Sequence, residues 1–348
     1  MTEVLGAPSR AAARAPVMAD VARLAGVSHQ TVSRVINDHP HIRPDTRTRV
    51  EDAIRQLGYR PNTAARTLVT RRSATIGVIG SSSGHWGPTS VHRTVEAAAA
   101  EAGYFASSVS SGLGFEALRS AIDHLLRQAV EGIVMIAAQD EALQAVRVQD
   151  PGVPLVVVEG DLSKARWAVG VDQHEGSRMA TRHLLDLGHT EIAHVCGPLD
   201  WTEARARRDG WRQAMTDAGL RPAEPVLGDW TAASGYAAGQ VLAGRPEVTG
   251  IVVANDQMAV GVIRALSEAG RRVPEDVSVV GFDDIPESGF LVPPLTTVHQ
   301  DFPAVGRRAI EVLHAAIVSE DEDLPRLIAP DLVVRHSTAP PRRPGATT

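Results

Sequence analysis

The sequence predicts an α/β chain: a small three-helix module followed by two doubly wound parallel-sheet lobes. Three observations carry this expectation. At 348 residues the chain exceeds one typical core, so two or three compact units are expected. From Ala74 onward short apolar strands alternate with amphipathic helices, as in a parallel sheet covered on both faces. Before Ala74 the periodicity is helical and the charge changes sign: Met1 to Arg72 carries 12 Arg against 6 acidic residues, a net +6, whereas the remainder is net −12.

Residues 1–16 mix Ala, Arg, Ser and Pro without a continuous apolar run, so they read as a disordered leader rather than a secretory signal, which implies a cytoplasmic protein. "MADVARLA" then places Val21, Leu24 and Ala25 at helical spacing, and Gly26 stands where a helix end favours positive φ. Ser28 supplies the N-cap of a second helix whose inward stripe is Val32, Val35 and Ile36. A third helix opens on Pro44, runs through Val50, Ile54 and Leu57 and stops at Gly58. Helix, short Gly-bearing turn, helix is the helix-turn-helix arrangement.

The strands "ATIGVIG", "YFASSVS", "GIVMIAA" and "PLVVVEG" are separated by the helical stretches "VHRTVEAAAAEAG", "ALRSAIDHLLRQAV" and "EALQAVRV". A second series, "EIAHVCG", "PVLGDW", "GIVVAND" and "VSVVGFDD", repeats the pattern. Open sheets of this kind bind ligands beyond the carboxyl ends of their strands, where Ser81, Glu159, Asn255, Asp256 and Asp283 fall, so a cleft between two lobes is implied. The acidic run "SEDED" at 319–323 reads as a solvated loop.

Several classes are excluded. Hydrophobic residues are 43% and charged ones 22% of the chain, and no apolar run approaches the roughly 18 residues of a membrane span. Cys196 is the single cysteine, which forbids an intramolecular disulfide or a cysteine zinc cage and reads as a buried structural thiol. His174, His183, His189 and His194 lack a metal-site spacing, and "GLG" at 112–114 is no dinucleotide fingerprint. The neighbours Asp283 and Asp284 point to opposite faces if they lie in a strand, so they do not serve one reacting centre, and no catalytic residue is expected.

With the apolar stripe of the second helix facing the first, His29, Gln30, Ser33 and Arg34 lie on opposite or flanking faces. Gln can bond adenine and Arg guanine bidentately, so a helix entering a major groove could read bases with these groups, while Ser28, Thr31 and Ser33 suit phosphates or base edges. A solvated surface helix is the plainer alternative; the turn spacing and local positive charge favour DNA. In "YRPNTAARTLVTRRS" Asn62 can cap a helix of about two turns, too short to be stable alone. Leu68 is then an apolar side chain on a basic linker, suited either to wedging into a minor groove or to packing on its own lobe.

The stretch "DVARLAGVSHQTVSRVINDHPHIRPDTRTRVEDAIRQLGYRPNTAARTL" resembles the LacI/GalR family of bacterial transcription regulators, and the likeness spans roughly Met18 to Ser337 through "CGPLDWTEARARRDGW", "GDWTAASGY", "VANDQMAVGVIRALSEAG" and "PPLTTVHQDF". The resemblance implies a helix-turn-helix domain at 17–61, a hinge helix and linker at 62–73, a periplasmic-binding-protein-like body at 74–338 and a disordered tail at 339–348. Within the body it implies an N-lobe of about 74–171 and 302–329 and a C-lobe of about 172–301 and 330–338.

It further implies a homodimer on double-stranded, pseudo-palindromic operator DNA, contacted by Ser28, His29, Gln30, Thr31, Ser33, Arg34 and Asn37 and, from paired hinge helices in the minor groove, by Asn62, Ala65 and Leu68. A small carbohydrate effector would be held by Ser81, Arg207, Asn255, Asp283 and Gln300, stacked on Trp230 and walled by Val91 and Phe302. Two positions depart from the pattern: Ile136 replaces an Asn, and Glu159 replaces a shorter Asp; His85 and Trp86 also border the site. The effector expected is a galactoside or related glycoside; the alternatives are a regulator corepressed by a non-sugar metabolite and a sugar-binding transport protein. No cofactor or metal is implied. After "LVVRHS" no apolar heptads follow, so a dimer rather than a tetramer is expected.

Overall fold

The computed structural model describes residue 14 and residues 16–60, 72–81, 84–112, 114–136, 151–160, 166–319 and 326–342. It divides into two compact units, Met1–Ser73 and Ala74–Thr348. Among the described residues no helix is long and apolar enough to cross a membrane.

In the first unit α1 (Met18–Ala25), α2 (His29–Ile36) and α3 (Pro44–Leu57) enclose a core of Val21, Val32 and Val50, completed by Ala22, Ala25, Val35, Ala53 and Tyr59. Gly26 turns the chain at φ 64° and donates its N–H to the end of α1, so α2 can begin three residues later. Ser28 Oγ accepts the Thr31 N–H at 3.2 Å and caps α2. One inward position differs from the sequence expectation: Leu24 is 46% exposed, and Ala22 is buried in its place. The two lie on opposite sides of Val21 around the helix, about 60° and 100° away, and the alanine lets the backbones approach.

In the second unit the strands form two sheets. The first holds β1 (Thr75–Ser81), β2 (Phe105–Ser111), β3 (Gly132–Ile136), β4 (Leu155–Val158), β5 (Trp167–Val171) and β11 (Leu327–Ile328), in the order β11-β5-β4-β3-β1-β2, all parallel. The second holds β6 (Ile192–Cys196), β7 (Val226–Leu227), β8 (Gly250–Val253), β9 (Ser278–Asp283), β10 (Thr296–His299) and β12 (Asp331–Val333), in the order β12-β10-β9-β8-β6-β7; only its edge pair β10/β12 is antiparallel. β3, β4 and β8 are buried along their whole length, the mark of strands covered on both faces.

Chain order and lobe do not coincide. The helix α4 (Trp86–Glu101) is joined on the first sheet by Phe302, Val305, Ala309 and Leu313 of a helix at Phe302–Val318 that follows β10 of the second. The chain therefore passes between lobes after β5, after β10 and after β11. Asp256, at the carboxyl end of β8, turns into the second lobe rather than toward the cleft: its carboxylate accepts Thr297 Oγ1 (2.6 Å), Ser288 Oγ (2.6 Å) and the Ile285 N–H (3.0 Å). Cys196 is buried, and burial pushes its thiol up to about 11, as suits an inert core residue.

Helices Ala232–Ala243 and Asp256–Glu268 pack through glycines: a Cβ on Gly261 would stand 2.0 Å from Ala232 O, and one on Gly235 2.1 Å from Met258 O. Gly261→Ala is therefore expected to destabilise the second unit by about 1–3 kcal/mol through overpacking. Gly244→Ala, whose added methyl meets its nearest atom at 3.6 Å, is expected to unfold near the parent midpoint in urea.

Candidate nucleic-acid interface and ligand pocket

On α2 the stripe Val32 and Val35 is buried, while His29, Gln30, Arg34 and Asn37 are exposed. Ser28 and Thr31 share a hydroxyl contact of 2.9 Å, and Asn37 Nδ2 donates to Ser33 Oγ at 3.4 Å. Among the described residues no hydrogen bond or ion pair engages the side chains of His29, Gln30 or Arg34. This leaves an amide, an imidazole and a guanidinium on the outer face of the second helix of a helix-turn-helix, able to bond base edges. Asn62, Ala65 and Leu68 lie outside the described residues.

In the second unit a cavity of about 510 Å³, counting its open mouth, lies between the two sheets at the carboxyl ends of their strands. Its floor is a closed polar network. Arg207, on the helix α7 (Thr202–Asp217; α5 and α6 are Phe115–Arg127 and Gln173–Asp186), donates Nε–H to Gln173 Oε1 at 2.9 Å and Nη1–H to Ala254 O, and stands 3.4 Å from Asp283 Oδ1. Gln300 Nε2 donates to Asp283 Oδ1 at 2.7 Å. Gln173 Nε2 donates to Gln300 Oε1 at 2.8 Å and to Glu159 Oε2 at 3.1 Å. The guanidinium lies 3.8 Å from the centre of the Phe282 ring and 5.6 Å from that of Trp230, where aromatic faces favour a cation.

The walls are aromatic. Trp201 meets Trp230 edge to face at 5.7 Å and His85 at 5.4 Å, and Trp86 and Phe302 complete the lining with Val91 and Ile136. Gly197 makes room for this wall, since a Cβ there would stand 2.3 Å from the Trp230 ring. Glu159 (φ 64°), Trp230 (φ 74°) and Asp283 (φ 107°) all occupy the left-handed region, which costs side-chain-bearing residues of order 1–3 kcal/mol each and concentrates at functional sites.

Several polar atoms here have no hydrogen-bond partner: Glu159 Oε1, Glu203 Oε2, Trp86 Nε1 and Trp230 Nε1. Buried polar groups in a folded protein are nearly always paired, so a concentration of orphans in one cavity marks a site built for a ligand's hydroxyls or amines. Burial pushes the Glu159 carboxyl up to about 7, against the pull of Arg207 and Gln173. Burial, with Glu159 close by, pushes Glu203 up to about 8. Burial likewise pushes Asp283 to about 6, and lowers His85 from its usual value.

Of the residues expected from sequence, Val91, Glu159, Arg207, Trp230, Asn255, Asp283, Gln300 and Phe302 all line this cavity. Ser81 ends β1, and its side chain lies outside the described atoms. Asn255 acts in the frame as well as the lining: Oδ1 caps the following helix at Met258 N, and Nδ2 donates to the Trp230 carbonyl at 3.1 Å, holding its strained backbone. Gln173, Trp201 and Glu203 were not expected there. Their signal was positional: each opens a helix at a strand's carboxyl end, and Glu203 precedes Arg207 by one helical turn. Asp284 faces away from the cavity, bonded to Arg335 at 2.7 Å and His299 at 3.1 Å. His194 stacks on Trp211 at 5.3 Å in the core, and no group of metal-ligating side chains occurs among the described residues.

Residues 17–62 match the model of bacterial regulatory proteins of the lacI family, and residues 181–338 that of a periplasmic binding protein-like domain. The chain is 36% identical to the lactose operon repressor of Escherichia coli K12 over 327 residues, covering 92% of this chain and 90% of that protein. It is 35% identical to the ribose operon repressor of the same strain, covering 92% and 99%. It is 34% identical to the HTH-type transcriptional repressor PurR of Haemophilus influenzae Rd, covering 91% and 97%. Among solved structures, the lac repressor dimer bound to operator and the anti-inducer ONPF superposes with a TM-score of 0.85 at 34% identity, over 94% of this chain and all of that one. A complex of the transcriptional regulator CelR with cellobiose gives 0.69 at 33% identity, over 92% and 99%.

The acid pair has a consequence for stability. A carboxyl whose folded pKa lies above its ordinary 4.5 binds more protons folded than unfolded, so its contribution is full below about 4.5 and disappears as pH rises through about 7 for Glu159 and 8 for Glu203. His194, held down to about 4, acts in the opposite sense and is complete by its ordinary 6.5. The melting temperature of the unliganded protein is therefore expected to fall from pH 6.5 to 8.5, and less steeply in Glu203→Gln. Parallel slopes for the two proteins would contradict it.

Proposed function

The chain belongs to the lacI family of bacterial regulatory proteins, and from that premise we propose that it is a transcriptional repressor that binds a pseudo-palindromic operator as a homodimer and releases it when a small carbohydrate enters the cavity. One observation carries the effector half of this reading: unpartnered carboxyl oxygens and indole N–H groups converge in a tryptophan-lined cavity. Planar amides, a guanidinium and carboxylates grip adjacent hydroxyls, and an aromatic face covers the apolar side of a pyranose. In this arrangement Arg207, Asp283 and Gln300 hold hydroxyls from the floor and Trp230 stacks. Asn255 offers the remaining lone pair of Oδ1 while fixing Trp230. Val91, Ile136 and Phe302 form the apolar wall, and Ser81 contributes from the first lobe.

The ligand class we infer is a galactoside or related glycoside, in keeping with the similarity to the lactose operon repressor and to the cellobiose-bound regulator. Lactose itself fits this chain less well, because Ile136 supplies no amide and Glu159 reaches further into the cavity than an aspartate. A site of buried polar groups discriminates sharply, since a ligand missing one hydroxyl strands a group that nothing else can satisfy. Release follows from a change in the angle between the lobes. A coupling of about 1–3 kcal/mol gives roughly 5- to 150-fold lower operator affinity.

For the operator half, His29, Gln30, Arg34 and Asn37 read the major groove, with Ser28, Thr31 and Ser33 against phosphates or base edges. Asn62, Ala65 and Leu68 extend the contact into the minor groove. The test is a thermal-shift screen of sugars followed by gel-shift titration of the operator with each hit. Sugar is expected to loosen binding, and Gln300→Ala is expected to raise the concentration needed about tenfold or more. Gln30→Ala is expected to cost about 1–3 kcal/mol of discrimination between operator and scrambled duplex at fixed salt. An unchanged ratio in Gln30→Ala, or operator binding indifferent to every hit, would contradict the proposal.

A further inference from the structure

The cavity is acidic beyond what its own cation can balance. Glu159, Glu203 and Asp283 line it with the single guanidinium of Arg207, which is already engaged by Gln173, Ala254 O and Asp283. Asp283 has Arg207 and Gln300 as partners. Glu159 accepts from Gln173 on Oε2 and is held partly in check by the Val171 backbone N–H, but no well-formed hydrogen bond reaches its Oε1; Glu203 accepts the Gly160 N–H at 3.0 Å on one oxygen, and no well-formed hydrogen bond reaches its Oε2. Both glutamates are more than nine-tenths buried. They also line a second cavity, beside Asp172, His174 and Thr202, so the pair stands where the two cavities meet and faces both.

Ionising two neighbouring carboxyls in such a place is costly unless a positive charge comes to them. Burial accordingly raises both glutamates, and the neighbouring Glu159 raises Glu203 further. The same cavity is lined by the rings of Trp201 and Trp230, whose faces attract a cation, with His85 against Trp201. Buried carboxyls and indole rings lining one cavity form a receptor for an ammonium group carried on a sugar-sized body, whose hydroxyls the Arg207 floor would hold.

We propose that the effector carries a positively charged nitrogen seated between Glu159 and Glu203, which makes its class an amino sugar or an aminated glycoside rather than a neutral one. This rests on the carbohydrate reading of the same cavity and narrows it.

The test is calorimetric titration of the full-length protein at pH 7 with matched pairs: galactose and galactosamine, glucose and glucosamine, cellobiose and the β-1,4-linked glucosamine dimer. In at least one pair the amine is expected to bind about tenfold or more tightly than its neutral partner. N-acetylation, which removes the charge, is expected to abolish that advantage. Glu203→Gln keeps an oxygen for the Gly160 N–H and is expected to reduce the preference to within about threefold; Glu159→Gln serves as the second variant, and melting curves show that each is folded. Neutral sugars binding as tightly as their amines would overturn this inference and leave the carbohydrate reading standing. Binding of none of the six sugars would overturn both, and a preference undiminished in both folded variants would remove the glutamates from its cause.

Discussion

The buried ion pair of Arg207 with Asp283, closed into a ring by Gln173 and Gln300, is the constraint on which the second unit depends. A guanidinium and a carboxylate taken out of water are tolerated only when their remaining donors and acceptors are satisfied, and here side-chain amides and a backbone carbonyl do so. The ring lies in the second lobe and is tied to the first where Gln173 Nε2 donates to Glu159, beyond the end of β4, and where Glu203 accepts the Gly160 N–H. Gln173 follows the first passage of the chain between the sheets, and Gln300 precedes the second passage, so the bond between them ties two connections together at the floor of the cavity. A ligand that inserts hydroxyls among these groups competes with bonds that set the relation of one lobe to the other, which gives effector binding a mechanical consequence.

Around this closed ring the cavity is strained and incompletely paired. Glu159, Trp230 and Asp283 are turned inward by backbone that ordinary residues avoid; the indole of Trp230 is accommodated by the missing side chain of Gly197, and its backbone is held by the amide of Asn255. Such an arrangement persists only where the surrounding sheets over-determine it, and the wholly buried strands β3, β4 and β8 supply that rigidity. Stability has been given up locally for a surface that waits for a partner, and the raised carboxyls are its electrostatic expression.

Much of this was legible in the sequence, for reasons that can be named. Gly26, Ser28, Pro44 and Gly58 mark helix ends by local chemistry alone, and the helices begin and end beside them. Leu24 was misjudged because a helical stripe can widen to either side of Val21, and only the position of the neighbouring helices decides which. The pocket divides in the same way. Arg207, Trp230, Asp283 and Gln300 could be named from the family pattern. Gln173, Trp201 and Glu203 could not, because they meet across chain separations that only the winding of two interleaved sheets brings together. Asn255 shows the limit from the other side: its residue type suggests a ligand contact, whereas its position makes it a helix cap and a strut.

The central claim is that one free energy links the carbohydrate in the cavity to DNA on the first unit. By reciprocity, if sugar weakens the operator complex, the operator must weaken sugar binding by the same factor. The direct measurement is the sugar dissociation constant of the full-length protein with and without saturating operator duplex at one salt concentration. A dissociation constant about tenfold or more higher on the operator, matched by the loss of operator affinity at saturating sugar, is the result expected. Equal sugar affinity in the two states would contradict it, whatever the sugar.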